Sequence, residues 1–239
     1  MRPIDRLIVA LDVDSEEKAV AMAEKLKSDV KLFKIGLELF SSCGPRIVER
    51  IRETGCEVFL DLKFHDIPTT VAKAASSITK LEPFMFNVHA LGGYEMMKRT
   101  VEAVIDESKR LDLVRPRILA VTILTSLDEK AMKEIGLNAG SKEDVLRLAH
   151  LAKKAGLDGV VASPSETKAL RKELGKDFLI VTPGVRPEWA AANDQKRIAT
   201  PGAAIKDGAD YIVVGRPITA SKNPAEAARD ILKEINRNR

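Results

Sequence analysis

The stretch DLKFHDIP, residues 61–68, sets two carboxylic acids and a lysine directly behind the apolar run VFL. Residues two apart on an extended segment share a face, so Asp61 and Lys63 are expected to point the same way. Lys34 closes another apolar run, VKLFKIG, and Asp66 adds a second acid after Lys63. An ammonium flanked by carboxylates is held in its charged form. Such a group suits proton donation, or stabilisation of a developing carbanion. Attack on a carbonyl asks for a neutral amine and so for the opposite surroundings. Asp61 would orient Lys63 and set negative charge against an anionic substrate group. The array Lys34, Asp61, Lys63 and Asp66 also reads as an ion-pair network bracing strand ends, and D-x-K-x-x-D is too short to choose.

A second constellation lies towards the C-terminus. Gly184-Val185-Arg186 and Gly215-Arg216 each follow an apolar run. Glycine lets backbone N–H groups approach phosphate oxygens, and arginine offers paired donors. Residues 187–200 run between them and contain Trp189 and Gln195. A connection of that length is either a lid or a plain surface excursion.

These residues need elements to hold them. Short apolar runs recur at LIVALDV (7–13), VKLFKIG (30–36), EVFLDL (57–62), FMFNVHA (84–90), RILAVTI (117–123), GVVAS (159–163), FLIVTPG (178–184) and YIVVGRP (211–217). Helical periodicity fills the gaps, at 16–27, 46–53, 71–79, 94–109, 142–154, 164–174, 201–206 and 225–236. Ser15 before two glutamates and Ser163 before Pro164 supply helix starts. Runs apolar throughout, rather than alternating, fit parallel strands covered by helices. Eight strand-helix units predict an α/β fold, a single (β/α)8 barrel over residues 1–239. A doubly wound open sheet is the alternative, although no G-x-G-x-x-G follows the first strand. Asp12, Lys34, Asp61 with Lys63, His89, Thr122 with Thr125, the PGVR turn and Gly215-Arg216 all fall at one end of these strands. In a barrel that end is the catalytic face.

Composition removes other classes. The chain has 239 residues, 45% hydrophobic and 31% charged, as expected for a soluble globular protein. No apolar segment approaches the ~20 residues that span a bilayer, and the N-terminus MRPIDRLIVALDVD lacks a signal-peptide pattern. A cytoplasmic location without membrane partners follows as the expectation. The net charge of +4 and the interleaved acids and bases read as solvated helix faces, so no nucleic-acid partner is expected. Cys43 and Cys56 read as reduced thiols, and with only three histidines they spell no zinc pattern.

With these residues assembled, the chain resembles the bacterial orotidine 5′-phosphate decarboxylase family from end to end. The resemblance rests on LIVALDV, FKIG, DLKFHDIP, VHALGG, LTS, TPGVRP, NDQKRIATP and VVGRPIT, in that order. It implies decarboxylation of orotidine 5′-monophosphate, with Lys63 as proton donor and Asp61 beside the departing carboxylate. It implies that Lys34 and Asp12 hold the ribose hydroxyls, and that Asp66 and Thr70 reach across a homodimer interface. Thr125 and Ser126 would contact the pyrimidine, and Arg186, Gln195, Gly215 and Arg216 would grip the phosphate. Ile67 joins the substrate-binding set. The resemblance implies no metal and no organic cofactor. A relative using magnesium to hold an enediolate, and a sensor of phosphorylated metabolites, stay as rival readings.

Overall fold

The computed structural model describes residues 3–137, 142–190 and 199–237. Its strands are β1 (Leu7–Ala10), β2 (Leu32–Gly36), β3 (Glu57–Phe64), β4 (Met85–His89), β5 (Arg117–Val121), β6 (Gly159–Val161), β7 (Leu179–Thr182) and β8 (Tyr211–Val214). They pair in sequence order, and β8 returns to β1, closing a barrel. Every pairing is parallel. The open-sheet alternative is thereby ruled out.

The helices are α1 (Glu16–Leu26), α2 (Leu37–Cys43), α3 (Arg46–Arg52), α4 (Pro68–Thr79), α5 (Gly93–Leu111), α6 (Glu129–Glu134), α7 (Lys142–Lys154), α8 (Pro164–Leu174), α9 (Pro201–Lys206), α10 (Arg216–Thr219) and α11 (Pro224–Arg237). Both expected starts occur. Ser15 accepts from the Lys18 N–H, and Ser163 with Glu166 forms a capping box ahead of Pro164. Helix α4 begins at Pro68 rather than at residue 71. A first-turn proline gives up only an N–H that has no partner there anyway. The short helices α2, α6 and α10 were not expected. None of the described helices is long and apolar enough to cross a membrane.

Alternation along the strands builds two packing layers. Ile8, Ala10, Leu32, Phe59, Met85, Leu119, Val181, Tyr211 and Val213 form one cluster, filling the barrel. Their neighbours, such as Val9, Phe33, Leu60, Phe86 and Val88, join the larger cluster beneath the helices. The inward parity continues from Ala10 to Asp12, from Leu32 to Lys34, from Phe59 to Asp61, and from Met85 through Asn87 to His89. Most strands stop earlier than the apolar runs suggested, because their last residues leave the ladder to form the rim. Strand β3 runs longer, through Phe64, with a register shift between Leu60 and Phe64.

Candidate active site

Lys34 stands at the centre of the charges on the rim. Its Nζ lies 3.3 Å from Asp12 Oδ1 and 3.4 Å from Asp61 Oδ2. Gly36 leaves room for it, since a Cβ there would meet Lys34 Nζ at 3.1 Å. Lys63 Nζ donates to Asp61 Oδ1 at 2.7 Å. The Lys34 and Asp61 side chains are each 13% exposed, so both charges sit largely out of water. Burial by itself would raise the Asp61 pKa. The Lys34 and Lys63 ammonium groups, with hydrogen bonds from Lys63 and Asn87, outweigh it and hold the carboxyl below its ordinary value.

The pairing of Asp61 with Lys63 matches the sequence expectation, but the backbone reason does not. Lys63 has φ +51°, a left-handed conformation that breaks the simple alternation of an extended strand. The register shift in β3 accompanies it. Asp66 also departs from the expected array. Its carboxylate is exposed and accepts the N–H of Ile67 at 2.6 Å. Among the described residues it forms no ion pair with Lys63. Ile67, 66% exposed, and Thr70, also exposed, stand beside it at the start of α4.

Two histidines lie next to this group. The rings of His65 and His89 stack with centroids 5.3 Å apart. His89 is buried, and its Nδ1 accepts the Leu91 N–H at 3.3 Å. Burial first, then His65 and Lys63, push the His89 pKa down, so the imidazole is held neutral.

Across the mouth, Arg186, Ala190, Arg216 and Pro217 line a pocket of about 350 Å³. Both arginines are exposed, and neither pairs with a described carboxylate. Gly184 has φ +78°, which the turn into Arg186 requires. The Cβ position of Gly215 lies 3.3 Å from Asp12 Oδ2, so that glycine keeps the chain close to the acid. Thr125 and Ser126 are exposed in the turn after β5. Trp189, 53% exposed, occupies a short 3-10 turn at Glu188–Ala190. Gln195 and most of the expected lid lie outside the described residues.

Asn87 was missed. It is fully buried in β4, donates from Nδ2 to Asp61 Oδ1 at 2.7 Å, and accepts the Lys63 N–H at 2.7 Å. The signal was present in FMFNVHA, where one amide interrupts an apolar strand at an inward position. A buried amide requires partners.

Comparison with known proteins agrees with this arrangement. The family model "Orotidine 5'-phosphate decarboxylase / HUMPS family" matches residues 5–231. The orotidine 5'-phosphate decarboxylase of Syntrophomonas wolfei subsp. wolfei is 52% identical over 98% of this chain and 99% of its own. That of Geotalea daltonii is 54% identical over 96% and 95%. A crystal structure of orotidine 5'-phosphate decarboxylase from Lactobacillus acidophilus superposes with TM-score 0.86 at 42% identity, covering 97% of this chain and all of that one. A barrel closed on an Asp12/Lys34/Asp61/Lys63 cluster, and full-length likeness at this identity, lead to one assignment: the chain belongs to the orotidine 5'-phosphate decarboxylase / HUMPS family.

Proposed function

We propose that this chain is a carboxy-lyase that converts orotidine 5′-monophosphate to uridine 5′-monophosphate in pyrimidine biosynthesis. The observation that carries the reading is the charge cluster around the largely shielded Asp61 and Lys34, in which Lys63 Nζ lies 2.7 Å from Asp61 Oδ1 and Lys34 braces the other carboxylate oxygen. Loss of carbon dioxide from the pyrimidine breaks one C–C bond and leaves its electron pair on the ring carbon. Fixed charge already in place is the effective stabiliser of such an anion, because no reorganisation is needed as it forms. The Lys63 ammonium supplies that charge and then its proton, completing the new C–H bond. Asp61 holds Lys63 and sets negative charge beside the substrate carboxylate. Lys34 and Asp12 bind the ribose hydroxyls, and Thr125 and Ser126 contact the pyrimidine.

The phosphate occupies the pocket of Arg186 and Arg216, with Gly215 and Gln195 completing the grip. Its binding energy, realised far from the reacting carbon, serves the transition state. The chain acts as a homodimer, and Asp66, Ile67 and Thr70 enter the partner's site. Their exposure, and the lack of an Asp66–Lys63 ion pair among the described residues, support this reading. The exposed apolar residues Leu37, Ile67 and Leu91, which follow β2, β3 and β4, support it too.

The assay follows loss of orotidine monophosphate absorbance with EDTA present. Full turnover to uridine monophosphate and carbon dioxide is expected. Activity that vanishes on chelation and returns with magnesium would favour the enediolate chemistry of a sugar-phosphate relative instead.

A further inference from the structure

Strand β3 places three residues, Asp61, Leu62 and Lys63, between the pairs Leu60–Phe86 and Phe64–Val88, where β4 places only Asn87. Such a bulge re-aims side chains but takes backbone groups out of the regular ladder. The Lys63 N–H is one of them, and Asn87 Oδ1 accepts it at 2.7 Å. The other half of the same carboxamide donates to Asp61 Oδ1 at 2.7 Å. The orientation of the amide follows from its partners, because the N–H can only donate and a carboxylate only accept. Asn87 thus ties together the backbone of Lys63, which is left-handed at φ +51°, and the carboxylate that its ammonium contacts.

We propose that Asn87 is a positioning residue for Lys63, its buried carboxamide holding the left-handed backbone that aims the ammonium and fixing Asp61 as the counter-charge. The inference rests on the decarboxylase reading above. The charged and titratable groups around Asn87 are Asp61 and Lys63 from β3, Lys34 from β2 and, on its own strand, His89 with His65 stacked on it.

The test uses the full-length protein, with turnover of orotidine monophosphate, affinity for uridine monophosphate, and the pH profile of kcat. A small displacement of a reacting group costs on the order of a hundredfold in rate, so Asn87→Ala should lose about that much in kcat. Nucleotide affinity should change less than about threefold, since the phosphate pocket lies across the mouth. Asn87→Asp keeps the shape and the acceptor but presses a second carboxylate against Asp61. One of the pair then takes up a proton unusually easily, and the introduced carboxyl, once protonated, donates as the amide did. Its kcat should therefore recover as pH is lowered from 8 to 6, relative to the unsubstituted protein. Overturning results are a kcat for Asn87→Ala within about threefold of the unsubstituted protein, or a profile for Asn87→Asp parallel to it. Failure of both variants to fold would make the carboxamide a structural group and overturn the proposal equally. If the unsubstituted protein itself does not turn over the nucleotide, the decarboxylase reading fails first, and the two failures stay distinct.

Discussion

Lys63 Nζ contacts Asp61 Oδ1 at 2.7 Å from a backbone in the left-handed region, φ +51°. That conformation costs a residue with a Cβ roughly 1–2 kcal/mol, and glycine almost nothing. The contact therefore draws on the stability of the surrounding fold. Lys63→Gly should be more stable than Lys63→Ala by about 1 kcal/mol, the reverse of the usual order in a strand. Paired urea denaturation curves check this, and an alanine variant at least as stable as the glycine variant would contradict it.

The depressed titrations set the acid side of stability. Asp61 titrates below the ordinary carboxylate value of ~3.9, so its contribution is complete above that value and lost as pH falls through the lower folded one. His89 is likewise lowered, its imidazole held neutral by burial, His65 and Lys63. Its burial costs nothing extra above the ordinary ~6.5 and destabilises increasingly as pH drops below that, until the folded group protonates. Melting temperature should thus decline in two windows. His89→Asn, whose side-chain oxygen can still accept the Leu91 N–H, should flatten the upper window and leave the lower one. Superimposable profiles for the two proteins would refute the assignment.

Much of this site was legible beforehand, for reasons that differ between residues. The eight apolar runs announced the barrel because a strand covered on both faces has no polar alternation to confuse it. Asp61 and Lys63 were found by type and spacing, although the bulge that aims Lys63 was not. A bulge depends on the register of two strands far apart in sequence, and no local pattern encodes it. Asn87 stood out in FMFNVHA as a lone amide in an apolar strand, but its partners, the Lys63 N–H and Asp61, are set by what faces it across the ladder. Asp66 was read both as a member of the array and, by resemblance, as a residue reaching across a dimer interface; its carboxylate accepts the Ile67 amide and forms no ion pair with Lys63 among the described residues.

In the homodimer proposed above, the exposed Asp66 would complete the partner's site. Lys63→Ala and Asp66→Ala chains, each inactive alone, should recover activity when denatured together and refolded. Random pairing makes about half of the dimers mixed, each with one intact site, so roughly a quarter of the unsubstituted specific activity is expected. No recovery, with mixed dimers demonstrated, would locate the whole site within one chain.

Trp189 is the sole tryptophan and directly precedes Ala190, which lines the Arg186/Arg216 pocket. Saturating uridine monophosphate should shift its emission, because a phosphate in that pocket lies beside the segment that carries the indole. Arg216→Ala should weaken the nucleotide by about 2–3 kcal/mol, as loss of a charge-assisted contact would. The corresponding nucleoside should be almost indifferent to that substitution. An unchanged spectrum, or equal losses for nucleotide and nucleoside, would argue against the phosphate assignment.

The central claim is that Lys63 delivers the proton after direct loss of carbon dioxide. Its most direct test compares kcat on orotidine monophosphate, and affinity for uridine monophosphate, in the unsubstituted protein and in Lys63→Ala. Turnover should disappear while product affinity stays within about tenfold, or ~1.4 kcal/mol. A Lys63→Ala variant that still decarboxylates at near the unsubstituted kcat would contradict the account.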